Sequence, residues 1–296
     1  MPRRSANLAV SHRGAWRPDW HRLVLLVGLL PVACSTSVTS GLPASVPLAE
    51  APGKVTVRAL DYRFSMPSSW PGGWVAVTLL NNGSEPHQLQ LARLMSGASI
   101  AKLGDDFEHN PSAAFAQLTL AGGPDAVEPG RGQEVTVLLT QGSYVALDLA
   151  VGSDGVQNVR KGMIQAFTAG GPSIAQAPIA AGTLVERSFG FDIPPIPARP
   201  AILLVHNDSR DDSHEAAIVQ LGASVQEVDV LGFLRSPSGP PPFRFVGGMA
   251  AIEPGQSGYL HLDLDPGRYV VFCAVTDPDT GRFHFDQGMI QTFTVS

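Results

Sequence analysis

The stretch Cys273-Ala-Val-Thr-Asp-Pro-Asp-Thr-Gly-Arg-Phe-His284-Phe-Asp-Gln-Gly-Met289 places a thiol, an imidazole and a thioether on one loop. The loop lies between two strand-like apolar runs, residues 269–272 and 290–295. Further upstream, Asp-Asp-Ser-His214 offers a second imidazole beside another strand-like run. The chain therefore carries four side chains of metal-ligating chemistry in the order His, Cys, His, Met.

Two imidazoles, one thiolate and a weak thioether form the ligand set of a blue-copper electron-transfer site. The soft thiolate favours Cu(I), the imidazoles suit Cu(II), and a long axial thioether tunes the potential between them. The sequence thus predicts one copper ion held by four residues: His214, Cys273, His284 and Met289.

Each residue alone also has a plain structural interpretation. Cysteine is often buried in cores, and His214 sits in an acidic stretch typical of a solvated loop. His284, between Phe283 and Phe285, suits a half-buried core position, and Met289 suits a packing role.

Two copies of one sequence unit are present in the chain. Residues 122–130, GGPDAVEPG, match residues 247–255, GGMAAIEPG, at an offset of 125 residues. Near the end of each copy, GMIQAFT at 162–168 matches GMIQTFT at 288–294, at an offset of 126 residues. In the first copy, Asp148 stands at the position of Cys273. We therefore expect the first copy to be a degenerate unit without metal.

Both copies show the pattern of β-strands. Residues 134–139 and 258–264 alternate apolar and polar side chains, and a Glu-Pro-Gly turn signal precedes each run. Short helices are expected within 96–116 and 225–234. The predicted fold class is all-β, with two tandem Greek-key β-sandwiches. The expected organisation is a signal peptide at 1–33, a linker at 34–52, a degenerate domain at 53–169, a linker at 170–183 and a metal-binding domain at 184–296.

The ordered ligand set resembles that of the cupredoxin family, the plastocyanin- and azurin-like blue-copper proteins. The resemblance implies a first His ligand near the end of an interior strand. It also implies that the Cys, the second His and the Met lie on the loop before the last strand. The spacing between His284 and Met289 equals that of plastocyanin. The gap between Cys273 and His284 is longer than in plastocyanin and close to that of copper nitrite reductases. In the first copy, Asn158 occupies the position of the second His.

Motifs for catalysis are missing from the sequence. It contains no His-x-His pair, no Gly-x-Ser-x-Gly, no His-Glu-x-x-His and no phosphate-binding loop. In the family that the chain resembles, multicopper oxidases use several His-x-His pairs, and nitrite reductases use additional His ligands between domains. The sequence therefore predicts that the protein is not an enzyme.

The N-terminus has the features of an export signal. A basic segment precedes an apolar run of 11 residues at 23–33, which is too short to span a bilayer. Cys34 follows directly after Val-Ala, which resembles the lipobox of bacterial lipoproteins, although Pro31 stands where that motif usually has Leu. We expect an exported protein, periplasmic or at the cell surface, whose only membrane attachment is a lipid on Cys34.

The formal net charge of −6 argues against nucleic acid as a partner. If Cys34 is lipidated, Cys273 has no disulfide partner in an oxidising compartment, and a metal would protect its sulfur. Three functions remain open at this point. The first is a copper electron carrier with a redox partner protein whose identity is unknown. The second is a metal-free cupredoxin-like lipoprotein with a binding or structural role in the envelope. The third is copper storage or delivery.

Overall fold

The computed structural model describes residues 50–171 and 173–296, here called the first half and the second half. The predicted signal peptide, residues 1–33, and Cys34 lie outside the described residues.

The strands of the first half are β1 Gly53–Leu60, β2 Arg63–Ser65, β3 Ser69–Trp70, β4 Gly73–Asn81, β5 Gln90–Leu94, β6 Leu118–Leu120, β7 Gly132–Leu139, β8 Gly142–Leu147 and β9 Ile164–Ala169. The strands of the second half are β10 Gly182–Arg187, β11 Gly190–Asp192, β12 Ala201–Asn207, β13 His214–Leu221, β14 Phe243–Ile252, β15 Ser257–Leu262, β16 Gly267–Phe272 and β17 Ile290–Val295. The predicted all-β class is confirmed.

Each half is a sandwich of two sheets. In the first half, β1, β2, β4 and β7 pack against a sheet ordered β3-β9-β8-β5-β6. In the second half, β10, β11, β12 and β15 pack against a sheet ordered β14-β13-β16-β17. The described residues of both halves form one compact unit, so the domain limits at 53–169 and 184–296 stay a prediction.

The two sandwiches share one continuous sheet. Strands β7 and β15 pair antiparallel. They join the first half's sheet of β1, β2, β4 and β7 to the second half's sheet of β10, β11, β12 and β15, and the two, called here the outer sheets, form a single sheet of eight strands. The central pair is Val135 with Leu260, two residues that lie 125 positions apart. The flanking pairs, Glu134 with His261 and Thr136 with Tyr259, are therefore related by exchange of the two halves. The halves meet as two subunits meet across a two-fold axis.

Local sequence explains the strands and their turns. Strand β1 buries every second residue, Val55, Val57 and Ala59, and exposes the polar residues between them. The Glu-Pro-Gly signals before β7 and β15 form tight turns. In the first, the Arg131 amide donates to the Glu128 carbonyl at 3.1 Å, and Gly130 has φ +74°. This is the geometry of a type II turn, which requires a positive φ at its third residue.

The helices are short and lie at the expected places. Two fall within the predicted segment 96–116, α1 at Ile100–His109 and α2 at Pro111–Phe115, and α3 covers Glu227–Arg235. Two 3-10 helices, Asn158–Lys161 and His284–Gln287, precede the last strand of each half. Among the described residues, no helix is long and apolar enough to cross a membrane.

One large hydrophobic cluster runs through both halves. It contains Val77 and Val135 of the first half together with Val205 and Leu260 of the second half, all essentially buried. Cys273 belongs to the same cluster. The loop before the last strand is therefore anchored directly in the core at its first residue.

Candidate metal centre

Three of the four predicted ligands meet at one buried point. The Nδ1 atoms of His214 and His284 lie 3.0 Å apart. The Cys273 Sγ lies 3.9 Å from the His214 Nδ1 and 3.4 Å from the His284 Nδ1. At most 1 % of each of the three residues is exposed. These are the only His, Cys, Asp or Glu side chains that converge as a group of three or more within residues 50–171 and 173–296.

The spacing of the three atoms suits a metal ion. Atoms at these separations all lie about 2 Å from a common point, which is the length of a metal–imidazole bond. Both imidazoles turn Nδ1 toward this point, and their Nε2 atoms are buried with no hydrogen-bond partner. Packing therefore fixes the rings, and the Phe189 ring stands perpendicular to that of His284 with centroids 6.1 Å apart. The residues present fit a copper ion, because the donor set is two imidazoles and one thiol.

The loop between β16 and β17 folds back to bring His284 beside Cys273. The Phe285 amide donates to the Cys273 carbonyl at 2.9 Å, and the His284 amide donates to the Val275 carbonyl at 2.9 Å. The residues between Thr276 and Phe283 form a small excursion away from the site, and a β-bridge between these two residues closes it. The long gap between Cys273 and His284 is therefore absorbed outside the site.

The excursion is held by a single carboxylate. Asp277 accepts hydrogen bonds from the Gln287 side chain at 2.9 Å and from the Asp279 amide at 2.8 Å. The Gln287 hydrogen bond, supported by others from Thr280 and Asp279, lowers the pKa of Asp277 far below its usual value. The carboxylate therefore stays ionised and keeps the loop closed.

A buried asparagine at the end of β12 positions His214. The Asn207 side chain donates to the Asp212 carbonyl at 2.8 Å and to the Ile252 carbonyl at 3.0 Å. Its own carbonyl oxygen accepts from the Ser209 amide at 2.9 Å. These bonds shape the turn that leads into β13, whose first residue is His214. His214 is buried at the start of a strand, so the interpretation as a solvated loop residue is wrong.

Met289 lies next to the three converging residues along the backbone. Its amide donates to the His284 carbonyl at 3.0 Å, and its carbonyl accepts from the Cys273 amide at 3.0 Å. The side chain is fully buried in the same cluster as Cys273. These contacts hold Met289 at the site, while its role as an axial ligand stays a prediction.

Burial sets the protonation of the three side chains. Burial, and after it the charge of the nearby His284, lower the pKa of His214 to about 3. Burial also lowers the pKa of His284. The pKa of the Cys273 thiol is raised well above its usual value, by burial first and by the charge of Glu215 second. The metal-free site therefore holds two neutral imidazoles and a neutral thiol, and a metal binding there would release the thiol proton.

A hydrogen-bonded cluster, called here the first-half cluster, occupies the equivalent place in the first half: His87, Asp148 and Asn158. The His87 Nδ1 is hydrogen bonded to the Asp148 Oδ2 at 2.6 Å, and the Asn158 amide nitrogen lies 3.2 Å from the same oxygen. The backbone pattern is the same, since the Asp148 amide donates to the Met163 carbonyl at 3.1 Å. Burial alone would lower the pKa of His87, but its hydrogen bonds and charge interactions with Asp148 and Asp61 together outweigh burial and raise it. A hydrogen-bonded cluster thus fills the place that the second half gives to the three converging ligands.

Sequence reasoning missed three buried acids near the site. Asp125, Glu186 and Glu215 are at most 8 % exposed, although each belongs to a residue type that normally lies at the surface. Burial raises the pKa of Glu215 to about 7 and raises the pKa values of Asp125 and Glu186 well above normal. The one signal in the sequence was that Glu215 follows His214 at the head of an apolar strand.

No protein-family model and no curated protein sequence matches the chain. Among solved structures, it is similar to reduced auracyanin from Roseiflexus castenholzii, with 20% identity, a TM-score of 0.29, and coverage of 39% of this chain and 95% of that one. It is also similar to a copper nitrite reductase from Nitrosomonas europaea, with 13% identity, a TM-score of 0.25, and coverage of 82% and 93%. A multicopper oxidase gives 13% identity, a TM-score of 0.23, and coverage of 82% and 88%. Scores of this size assign no function to the chain.

These similarities correct one expectation from the sequence. The absence of known catalytic motifs led to the prediction that the protein is not an enzyme. The similar structures include a nitrite reductase and a multicopper oxidase, both of which are enzymes. The prediction is therefore wrong as an exclusion, because the structures similar to this chain include copper enzymes as well as an auracyanin.

Proposed function

We propose that the protein binds one copper ion in its second half and transfers electrons through it. The proposal rests on one observation, the convergence of the His214 Nδ1, the His284 Nδ1 and the Cys273 Sγ in a buried site. When bound, copper would supply a one-electron couple between Cu(II) and Cu(I). His214, His284 and Cys273 would hold it, with Met289 as a weak fourth ligand.

The chemistry of the site favours copper over zinc. Structural zinc sites usually have four strong ligands from Cys and His, and this site offers three. Two imidazoles, one thiolate and a neighbouring thioether match the preferences of copper in both oxidation states. Burial supports electron transfer as well, because rings held by packing keep the ligands in place when the charge of the site changes.

We also propose that the chain is a tandem repeat whose first copy, within 53–169, has lost its metal. The His87–Asp148–Asn158 cluster supports this, because hydrogen bonds now link the side chains at the ligand positions. The symmetric pairing of β7 with β15 supports descent of both halves from one unit. Export through residues 1–33 and lipid attachment at Cys34 complete the proposal, which places the protein outside the cytoplasm with a redox protein as its partner.

Copper loading of the full-length protein tests the function. After incubation with Cu(II) and removal of excess metal, we expect one copper per chain. We also expect reversible one-electron reduction and reoxidation without loss of copper. Cys273→Ser should lose tight binding, whereas Cys34→Ser, the matched thiol control, should keep it. His87→Gln should also keep one copper, because His87 belongs to the first-half cluster.

The other two functions predict different results. Copper that binds but leaves on reduction would favour storage or delivery. A wild-type chain that takes up no copper would favour a metal-free binding or structural role.

A further inference from the structure

A buried glutamine of the first half reaches across to the second half. The Gln88 Nε2 lies 3.3 Å from the Asp125 Oδ1 and 3.5 Å from the Glu215 Oε2. All three side chains are less than 10 % exposed. A side chain of the first half therefore contacts the residue that directly follows the predicted ligand His214.

Glu215 in turn holds the peptide that follows Cys273. Its Oε1 accepts a hydrogen bond from the Ala274 amide at 2.7 Å. Its own amide points at the Cys273 Sγ, at 3.5 Å. Glu215 thus touches the thiol-bearing segment from both its side chain and its backbone.

The other end of this link lies in the first-half cluster. The backbone amide of Gln88 donates to the Asp148 Oδ1 at 3.3 Å, and the Asp148 Oδ2 is hydrogen bonded to His87. Gln88 follows His87 in the sequence as Glu215 follows His214. Gln88 and Glu215 therefore occupy equivalent positions in the two halves. The Gln88 side chain is a hydrogen-bond donor, the Glu215 side chain is an acceptor, and the two meet across the interface.

We propose that Gln88 is a positioning residue for the metal site of the other half, acting through Glu215 on the peptide between Cys273 and Ala274. The first half then has a specific task, which is to supply the outer support of a ligand loop that it does not contain. For the metal-loaded state the inference rests on the proposed function. For the metal-free protein it rests on the contacts alone.

The physical basis is the cost of a buried carboxyl oxygen that has no hydrogen-bond partner. Without the Gln88 donor, the buried Glu215 Oε2 would lose its hydrogen-bond partner. The carboxylate would then turn toward other donors and loosen its bond to the Ala274 amide. Ala274 is joined to Cys273, so the sulfur position would change with it.

Two matched substitutions separate positioning from general interface packing. Gln88→Met removes the amide at nearly constant shape. The control is Gln90→Met, because Gln90 is also a buried glutamine that bonds across the interface, to the Ala251 carbonyl at 2.9 Å. The first readout is hydrogen exchange of the Ala274 amide in the metal-free full-length protein. We expect Gln88→Met to speed this exchange about five- to tenfold, and Gln90→Met to leave it unchanged once global unfolding is subtracted.

The second readout is the visible absorption band after Cu(II) loading, which should shift in Gln88→Met and stay in place in Gln90→Met. Equal effects of both substitutions on Ala274 exchange would overturn the inference and leave Gln88 an ordinary interface residue. If Gln88→Met fails to fold, Gln88→Asn replaces it. Its side-chain amide is shorter by one methylene, so we again expect faster exchange of the Ala274 amide. A wild-type protein that binds no copper would defeat the proposed function, while the exchange measurement would still decide the role of Gln88.

Discussion

At the scale of single residues, burial decides which protons the candidate ligands carry. His214 and His284 have lowered pKa values and Cys273 a raised one, in each case chiefly because the charged form is buried. The imidazoles are therefore ready to donate electron pairs at neutral pH. Only the thiol must lose a proton when a metal binds, so proton release on metal uptake is expected to come from Cys273.

The lowered pKa of His214 predicts a pH-dependent stability of the metal-free protein. Unfolded His214 takes up a proton below about pH 6.5, whereas the folded residue does so only near pH 3. Between these values the unfolded state binds more protons, so acid destabilises the fold by up to about 1.4 kcal/mol per pH unit. Urea unfolding of wild type and His214→Gln at several pH values isolates this contribution. The wild type should lose its stability relative to the variant as the pH falls below 6.5, and a constant difference would refute the prediction.

Met289 allows a separate test of the axial position. Met289→Leu keeps an apolar side chain of similar volume in the core but removes the sulfur. We expect the visible band of the Cu(II) protein to persist and the reduction potential to rise, because a thioether that helps to hold Cu(II) is lost. Redox titration of both proteins measures the change. Loss of colour or a lowered potential would show that Met289 has a different role.

At the scale of secondary structure, two glycines allow neighbouring backbone segments to approach closely. Gly248 has φ +140°, and a Cβ there would lie 2.1 Å from the Ala216 carbonyl oxygen on the neighbouring strand β13. Gly123 has a nearly equal φ, and its Cβ would lie 2.0 Å from the Leu89 carbonyl oxygen. Only glycine permits the backbone to approach so closely in this conformation. Both positions belong to the Gly-Gly pairs that open the repeated motif.

A matched pair of alanine substitutions tests the role of this close contact. Gly248→Ala combines backbone strain with a steric clash and should cost about 3 kcal/mol or more of unfolding free energy. Gly255→Ala should cost only about 1 to 2 kcal/mol, because Gly255 has φ +74° but open space around it. Chemical denaturation gives both values. Equal costs would mean that the contact between Gly248 and β13 is relaxed in solution.

Local pattern predicted the strands and turns well but did not predict how the halves join. Alternating apolar residues indicated β15, and the Glu-Pro-Gly signal indicated the turn before it. The pairing of β15 with β7 depends on two edges 125 residues apart, and nothing local to either strand specifies it. The convergence of His214, Cys273 and His284 was anticipated from their order along the chain. Buried Gln88 and Glu215 were not, because only the tertiary structure takes such polar residues out of water.

At the scale of the whole molecule, the shared sheet and the continuous core make both halves one structural unit. Leu260 lies at the centre of the strand pair that joins them and is fully buried. Neither half can open its outer sheet fully without exposing an edge of the other. The first half therefore contributes to the stability of the second half, in addition to the support of the Cys273 segment that we propose for Gln88.

This arrangement predicts cooperative unfolding. Scanning calorimetry of the metal-free protein should show a single transition with equal calorimetric and van't Hoff enthalpies. Leu260→Ala should destabilise the whole protein by about 2 to 5 kcal/mol, and the transition should move to lower temperature without splitting. Two separate transitions in the wild type would show that the halves unfold independently.

The central claim is that Cys273 ligates copper together with His214 and His284. Its most direct test is the absorption spectrum of the full-length protein loaded with one equivalent of Cu(II). A copper–thiolate bond gives an intense visible charge-transfer band, whereas copper held by imidazoles and carboxylates is only weakly coloured. We predict an intense band in the wild type and in Cys34→Ser, and none in Cys273→Ser. A wild-type protein that binds copper with only weak colour, or a Cys273→Ser protein that keeps the band, would contradict the account.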